Sequence, residues 1–303
     1  MISEIQLNTL DNKPVKVNKK DPPRSINPDL TPLYFTAMFI GAKNSGKTYG
    51  LVKMLKNYES QPIKDSENNI LPVRTILFCP TASSQANPIY TTIKTLTEED
   101  IILNYSDDKL LDKIEEISEE KKQIEEFNLY CKLFKKFMKT EDIGNLEDDE
   151  VLLLNKYGFT EPEYLPQPKY KYPPIIFLIL DDLIGNNDCF KRGNCTISNL
   201  TIKHRHLGIN ILYTSQNPKS IPNIIRNNID VYVLYRFANK TTVLEKVYPE
   251  VSSLVTEEEF DLLYSHATQE PYNAFVIDNH PKMDKNKRFR MNYDIVLSIT
   301  GHQ

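Results

Sequence analysis

Short apolar runs, separated by polar stretches, recur along the chain and predict a buried sheet. Their apolar residues are continuous rather than alternating with polar ones, which favours strands covered on both faces. A helix is expected at Thr48–Tyr58, directly after the first run. This pattern predicts the α/β class, a mainly parallel central sheet with helices on both faces. The predicted strands are Leu33–Ile40, Val73–Cys79, Pro174–Leu180, Ile209–Tyr213, Val231–Tyr235 and Ala274–Ile277.

The segment between the second and third predicted strands has a different pattern. Between Asp107 and Lys139, apolar residues recur at three- and seven-residue steps among Glu and Lys, which is typical of an amphipathic helix. We interpret residues 97–160 as a mostly helical acidic insertion that lies on the main domain. A coiled coil that binds a partner protein is the alternative.

Composition adds a charge asymmetry to this picture. The 303 residues carry a formal net charge of −4. Residues 97–150 hold 18 acidic and 8 basic residues, a net of −10, so the remaining 29 basic and 23 acidic residues give a net of +6. A polyanionic partner is therefore compatible with the rest of the chain. The longest apolar run has six residues, against the roughly 20 of a membrane-spanning helix, so no such helix is expected.

A phosphate-binding motif follows the first predicted strand. Residues 41–48 read GAKNSGKT and fit G-x-x-x-x-G-K-[ST] in the strand–loop–helix setting that the motif needs. The N–H groups of such a loop bind phosphate oxygens, aided by the helix dipole. Lys47 is expected to neutralise the β- and γ-phosphates, and Thr48 to offer its hydroxyl to Mg²⁺. The candidate nucleotide-binding residues are Gly41, Ala42, Lys43, Asn44, Ser45, Gly46, Lys47 and Thr48.

Two carboxylates follow the third predicted strand and have the form of a Walker B motif. Asp181 and Asp182 come directly after the apolar run Ile175–Leu180. Carboxylates at the end of a buried strand cost free energy unless a cation or water partner is present. We predict that Asp181 holds Mg²⁺, directly or through water, and that Asp182 orients and polarises the attacking water.

Polar residues also flank the fourth predicted strand. In a parallel sheet, Gln216 would emerge at the same edge as Gly41 and Asp181, where its amide could bind the γ-phosphate or the attacking water. Arg205 precedes the strand and Arg226 follows it. Either arginine is a candidate to stabilise transition-state charge on a neighbouring subunit's nucleotide, and a surface or salt-bridged side chain is the alternative.

This region resembles a known superfamily. Residues 205–218 read RHLGINILYTSQNP and are similar to the R-x-x-G-I…T-Q-x-P stretch of the FtsK–HerA superfamily of DNA-pumping ATPases. The serine between Thr214 and Gln216 departs from that pattern. Residues 225–230, IRNNID, resemble the superfamily's next block. The Cys79-Pro80-Thr81 turn, the Asp181-Asp182 pair and the short chain are similar to the genome-packaging ATPases of large double-stranded DNA viruses, the poxvirus type.

The resemblance covers about residues 33–80 and 174–280, and it implies a fold and a site. The implied fold is a RecA-like P-loop NTPase core of the ASCE division. The implied cofactors are ATP and Mg²⁺. Lys47 and Thr48 are implied to bind nucleotide and Mg²⁺, and the two aspartates to act on metal and water. Gln216 is implied to sense the nucleotide, and Arg205 to act in trans.

It also implies a function and partners. These are ATP-driven translocation of double-stranded DNA into a capsid, a homo-oligomeric ring of five or six subunits, a capsid or portal protein, and a place in the virion or the host cytoplasm. A cellular or plasmid DNA-pumping ATPase is one alternative, and an ATP-binding structural component that does not pump is another. The basic stretches Lys13–Lys20 and Lys282–Arg290 are candidates for contact with DNA phosphate.

These patterns together predict the domain organisation. Residues 1–32 are polar and proline-rich and are expected to form an extended arm. Residues 33–290 are expected to form the ATPase domain, which contains the acidic insertion. Residues 291–303 are expected to be a C-terminal tail.

Overall fold

The computed structural model of the chain describes residues 22–80, 88–140, 142–183, 195–218, 221–237 and 239–299. The strands are β1 (Arg24–Ser25), β2 (Thr36–Ile40), β3 (Ile63–Lys64), β4 (Ile70–Leu71), β5 (Val73–Phe78), β6 (Leu96–Ile102), β7 (Ile175–Leu180), β8 (Ile209–Ser215), β9 (Val231–Tyr235), β10 (Ala274–Asp278), β11 (Phe289–Met291) and β12 (Ile295–Val296). The helices are α1 (Lys47–Glu59), α2 (Asp107–Thr140), α3 (Asp148–Lys156), α4 (Thr196–Leu207), α5 (Asn223–Arg226), α6 (Thr241–Lys246), α7 (Tyr248–Val251) and α8 (Glu257–Ala267).

Within the described residues, nine strands form one sheet in the order β12-β11-β10-β9-β2-β8-β7-β5-β6. The six strands from β9 to β6 run parallel to their neighbours, whereas β10, β11 and β12 are antiparallel additions next to β9. All six predicted strands are present, with ends shifted by up to three residues. The predicted α/β class is confirmed, and this mainly parallel sheet is consistent with a RecA-like core. A separate small sheet joins β1, β3 and β4.

Alternate residues of β2 pack on opposite faces of the sheet. Ala37 and Phe39 join a buried cluster that includes Leu51 and Leu55 of α1. Met38 and Ile40 belong to a second cluster on the other face, which includes residues of α4 and α8. Because both faces are covered, the strand has no exposed position, and its continuous apolar run follows from that burial.

The predicted helix of the acidic segment is present as α2, and it belongs to two regions. Leu110 and Ile117 lie in the main core, on the same side as α4 and α8. Farther along the helix, Tyr130 and Phe134 form a separate small cluster with Leu154 of α3. The first half of α2 therefore packs on the sheet, and the second half packs on α3.

The strand β6 was missed by the hydrophobic pattern. It pairs in parallel with β5 at the edge of the sheet, with an irregular register. Its residues Thr97, Glu98 and Glu99 are exposed. An edge strand does not need a continuous apolar run, and charged residues protect it from pairing with another chain. The strand β12 lies within residues 291–303, where the sequence suggested a tail, and it pairs with β11.

Among the described helices, none is long and apolar enough to cross a membrane.

Candidate nucleotide site

The predicted phosphate loop, acidic pair and glutamine meet at one edge of the sheet. The strand β8 lies between β2 and β7, and all three are parallel. Gly41, Asp181 and Gln216 each follow the carboxyl end of one of these strands, so we call this the carboxyl edge. The loop is tied to β8 by the Gly41 N–H, which donates to the Ser215 carbonyl at 3.1 Å.

The loop has the tight backbone that its glycines allow. Gly46 has φ 97°, a left-handed conformation that glycine adopts without steric cost. At Gly41, an added Cβ would lie 2.4 Å from Ser45 Oγ and 2.7 Å from Tyr235 Cβ, so no side chain fits. Both fixed glycines of the motif are therefore required by the geometry.

Lys47, at the start of α1, folds back over the loop. Its Nζ donates to the carbonyls of Gly41 at 2.9 Å and of Ala42 at 2.8 Å. Burial lowers the pKa of this ammonium, while the carboxylates of Asp182 and Asp181 act in the opposite direction. Among the described residues, no carboxylate forms an ion pair with Lys47. Its charge is held by neutral carbonyl groups and remains suited to a phosphate.

Asp181 is 4% exposed and is held by neutral donors. Thr214 Oγ1 donates to its Oδ1 at 2.6 Å, and the Tyr90 hydroxyl donates to its Oδ2. Burial, followed by the nearby Asp181 charge, raises the pKa of Tyr90, so the phenol keeps its proton and remains a donor. Cys79 Sγ also lies 3.5 Å from Oδ2. None of these partners neutralises the carboxylate.

Asp182 is fixed by the same threonine and contacts the predicted sensor. Its backbone N–H donates to Thr214 Oγ1 at 2.9 Å, and Gln216 Nε2 donates to its Oδ1 at 3.0 Å. Its φ of 52° is uncommon for a residue with a side chain, and such strained backbones concentrate at functional sites. Thr214 thus contacts both aspartates, and Gln216 contacts Asp182, the aspartate predicted to act on water.

The donors at this edge suit Mg²⁺. Thr48 offers a hydroxyl, and Asp181 and Asp182 offer carboxylate oxygens, the hard ligands that Mg²⁺ prefers together with water and phosphate. Within the described part of the chain, neither carboxylate has a cationic partner within ion-pair distance. The side chains present therefore fit the metal that the motif implies.

The two predicted arginines lie elsewhere. Arg205, in the last turn of α4, donates to Asp230 Oδ1 at 2.6 Å, and its side chain is half exposed. Asp230 precedes β9 and accepts from the backbone of Thr36 at the start of β2, so this is the opposite, amino edge of the sheet. Within one chain, Arg205 is not brought to the phosphate loop, and its action on a neighbouring subunit stays a prediction.

Arg226 is largely occupied by its own chain. Its Nη1 donates to the Ile221 carbonyl at 2.7 Å, and its Nε donates to Glu250 at 3.3 Å. The side chain is 13% exposed. These contacts match the salt-bridged alternative, and a role in trans would require them to break.

Sequence patterns missed three tyrosine and threonine side chains at this edge. Tyr90 and Thr214 hold Asp181, and Tyr272 lies beside Gly46. Thr214 belongs to the stretch that resembles the FtsK–HerA superfamily, but nothing in that pattern indicated its two hydrogen bonds. Tyr90 lies in a short 3₁₀ helix and Tyr272 in a turn, both without a motif, so only the folded chain brings them to the site.

No protein-family model and no curated protein matches the chain. Among solved structures, the chain is similar to the DNA-packaging ATPase B204 from Sulfolobus turreted icosahedral virus, at 13% identity and a TM-score of 0.43, over 88% of this chain and 98% of that one. B204 from Sulfolobus turreted icosahedral virus 2, in complex with ATP-γS, matches at 12% identity and 0.43, over 90% and 100%. The pCW3 conjugation coupling protein TcpA, with ATP-γS, matches at 17% identity and 0.38, over 80% and 56%. The neighbours thus include a viral genome-packaging ATPase, the class that the sequence motifs resemble.

Proposed function

We propose that this chain is an ATPase that binds ATP with Mg²⁺ at the carboxyl edge and hydrolyses it. One observation carries the proposal: the phosphate loop, the acidic pair and Gln216 meet at that edge, and Gln216 donates to Asp182. Phosphate binding alone would need only the loop. A buried carboxylate that has no ion-pair partner among the described residues, next to a second carboxylate in contact with an amide, adds what hydrolysis requires.

Each side chain has a role in this proposal. The loop N–H groups and Lys47 bind the phosphates, and Thr48 and Asp181 hold Mg²⁺, which neutralises charge on the phosphates. Asp182 accepts a proton from the attacking water. Gln216, which donates to Asp182 at 3.0 Å, orients that carboxylate and responds to the γ-phosphate. Thr214 keeps the two aspartates in register.

We also propose that hydrolysis drives double-stranded DNA into a viral capsid. The support is the resemblance of residues 205–218 and 225–230 to DNA-pumping ATPases, together with the net charge of +6 outside the acidic segment. The proposed assembly is a ring of five or six copies, with a capsid or portal protein as partner, in the virion or the host cytoplasm. A pump grips backbone phosphate without reading sequence, so a few lysines suffice.

The basic stretches offer unequal support for DNA contact. Lys13–Lys20 lies outside the described residues. In the second stretch, Arg290 is buried and donates to the Asp29 carbonyl, and Lys287 pairs with the Asp29 carboxylate. The exposed Lys282 and Lys285 are the better candidates for phosphate contact there.

The test is the ATPase rate with and without double-stranded DNA, measured beside the mass of the protein in solution. We expect turnover that DNA stimulates and a mass of five or six subunits. Lys47→Ala should abolish nucleotide binding or turnover because it removes the only charged group of the loop's GKT end. Turnover without any stimulation by DNA would favour the ATP-binding structural component, and undiminished turnover by Lys47→Ala would exclude the proposed site.

A further inference from the structure

A cleft extends from the phosphate loop toward solvent. Its volume is about 660 Å³, and its lining consists of residues 44–49 and Tyr272. All of the lining residues except Tyr272 belong to the phosphate loop and the first residues of α1. Two exposed tyrosines, Tyr49 and Tyr272, account for its aromatic surface.

The topology of the sheet places Tyr272 next to the loop. It lies in the turn between α8 and β10, two residues before β10 begins. Because β10 is antiparallel to β9, its first residue lies at the carboxyl edge, where Ala274 pairs with Tyr235 at the end of β9. The ring edge of Tyr272 lies 3.4 Å from the point where a Cβ of Gly46 would be.

The packing of the chain does not account for a tyrosine at this position. Its side chain is 71% exposed, so it contributes little to the core. Its φ of 67° is a left-handed conformation that costs free energy for a bulky residue. An exposed aromatic ring on a strained backbone beside a phosphate loop points to a ligand that the ring contacts.

We propose that Tyr272 stacks on the base of the bound nucleoside triphosphate, with Tyr49 forming the other wall of the cleft. The inference rests on the proposed function, since it names the part of the nucleotide that this end of the same site binds. Tyr49 directly follows Thr48 and is 66% exposed. A nucleobase offers a flat π-face that aromatic side chains stack on, whatever the base. The phosphates and the base are then bound by separate groups.

That separation gives the test: the affinity for ATP is compared with the affinity for inorganic tripolyphosphate, each with Mg²⁺. Tyr272→Gly removes the ring and suits the positive φ, so the backbone keeps its conformation. We expect its affinity for ATP to fall about tenfold and its affinity for tripolyphosphate to stay unchanged. Tyr272→Phe should bind both ligands as the wild type does. Tyr164→Gly, at a tyrosine that follows α3 and is 77% exposed, is the matched control and should change neither affinity.

Other outcomes overturn the inference. An equal loss for ATP and tripolyphosphate in Tyr272→Gly would mean that the ring only supports the loop. An unchanged affinity for ATP would mean that the base lies elsewhere. A wild-type protein that binds neither ligand would overturn the proposed function itself, and the base contact with it.

The chain contains no tryptophan, which allows a direct optical readout. Tyr272→Trp introduces the sole indole, whose fluorescence should change when ATP stacks on it and stay constant with tripolyphosphate. Tyr164→Trp should respond to neither. A Tyr272→Trp protein that binds ATP as tightly as the wild type, yet shows no fluorescence change, would contradict stacking.

Discussion

Two buried aspartates on the same sheet have opposite kinds of partner. Asp100 on β6 accepts from Arg74 on β5, through Nε at 2.9 Å and Nη2 at 2.7 Å, and from Lys113 on α2 at 3.2 Å. Asp181 after β7 accepts only from hydroxyl groups and a thiol among the described residues. Both carboxylates are almost fully buried.

The difference is that the charge of Asp100 is paired within the chain, whereas the role proposed for Asp181 is to hold Mg²⁺. Around Asp100, Glu116 and Glu120 of α2 also form ion pairs with Arg74. Each of these acids therefore has a basic partner within the chain, and the pairs connect α2 to the sheet. Around Asp181, neutral donors fix the carboxylate and leave its charge in place. The Lys47 ammonium interacts with the Asp181 charge from a distance, but among the described residues no cationic side chain forms an ion pair with Asp181. A buried carboxylate without a direct ion pair is costly, and a bound Mg²⁺ would lower that cost. We propose that the charge of its partners, rather than burial alone, distinguishes a metal-binding acid from an acid that stabilises the fold.

The largest effect is expected from Asp182→Asn at the candidate nucleotide site. The amide keeps the size of the side chain but cannot accept the proton of the attacking water. We expect turnover to fall by roughly 10²- to 10⁴-fold while ATP binding is retained. Single-turnover hydrolysis and equilibrium ATP binding, measured on the same preparation, check both parts. Full turnover by Asp182→Asn would contradict the assignment of Asp182 to the water.

Arg74→Met should break the ion-pair cluster around Asp100. It leaves Asp100 buried without its main partner, and removal of one member of a buried ion pair costs about 3–5 kcal/mol. We expect the free energy of unfolding, measured in urea, to fall by about that amount, with ATP affinity of the folded protein unchanged. Lys122→Met, at an exposed pair, is the control and should change stability little. A stable Arg74→Met protein would mean that the cluster does not hold α2 on the sheet.

The ion-pair cluster around Asp100 also predicts how the free energy of unfolding depends on pH. Burial raises the pKa of Asp100, but the Arg74 and Lys113 contacts outweigh it and lower the pKa overall; Glu116 behaves in the same way. A carboxyl with a lowered folded-state pKa stabilises the fold above its ordinary pKa near 4 and loses that contribution as pH falls below it. We expect the free energy of unfolding to decrease as the pH falls below about 4. The decrease should be smaller in Arg74→Met, and an equal slope in both proteins would contradict this origin.

A smaller effect is expected at the hydroxyl groups that hold Asp181. Thr214→Val keeps the shape of the side chain but removes the donor to Asp181 and the acceptor for the Asp182 N–H. Loss of a partner that orients a metal ligand typically costs 10- to 100-fold in metal affinity. We expect a rise of at least tenfold in the Mg²⁺ concentration that half-saturates nucleotide binding. Tyr90→Phe should act in the same direction, and Tyr58→Phe, at a buried hydroxyl that donates to Thr31, should leave Mg²⁺ affinity unchanged. A Thr214→Val protein with wild-type Mg²⁺ affinity would show that Thr214 does not position the metal ligand.

The sequence predicted the central strands and the motif residues, because both depend on local patterns. Continuous apolar runs indicated strands covered on both faces. The parallel order predicted Gln216 at the same edge as Gly41 and Asp181, and there it donates to Asp182. The partners of each acid could not be predicted in the same way. Glu99 and Asp100 are adjacent in an exposed-looking acidic run, yet only Asp100 is buried, because β6 pairs at the edge and turns it toward Arg74. Tyr90 donates to Asp181 from a short 3₁₀ helix 91 residues away in sequence.

The smallest effect is expected at an exposed acid of the same acidic segment. Glu126 on α2 pairs with Lys156 on α3 at 2.5 Å, and the side chains are 36% and 60% exposed. Water screens such a pair, so Lys156→Ala should change the free energy of unfolding by less than about 1 kcal/mol, and less still at high salt. Urea unfolding at two salt concentrations measures both effects. A loss as large as that of Arg74→Met would place Glu126 in the same class as Asp100, and the contrast between buried and exposed acids of this segment would fail. A small loss would mean that this pair, unlike the buried Arg74–Asp100 pair, contributes little to the stability of the fold.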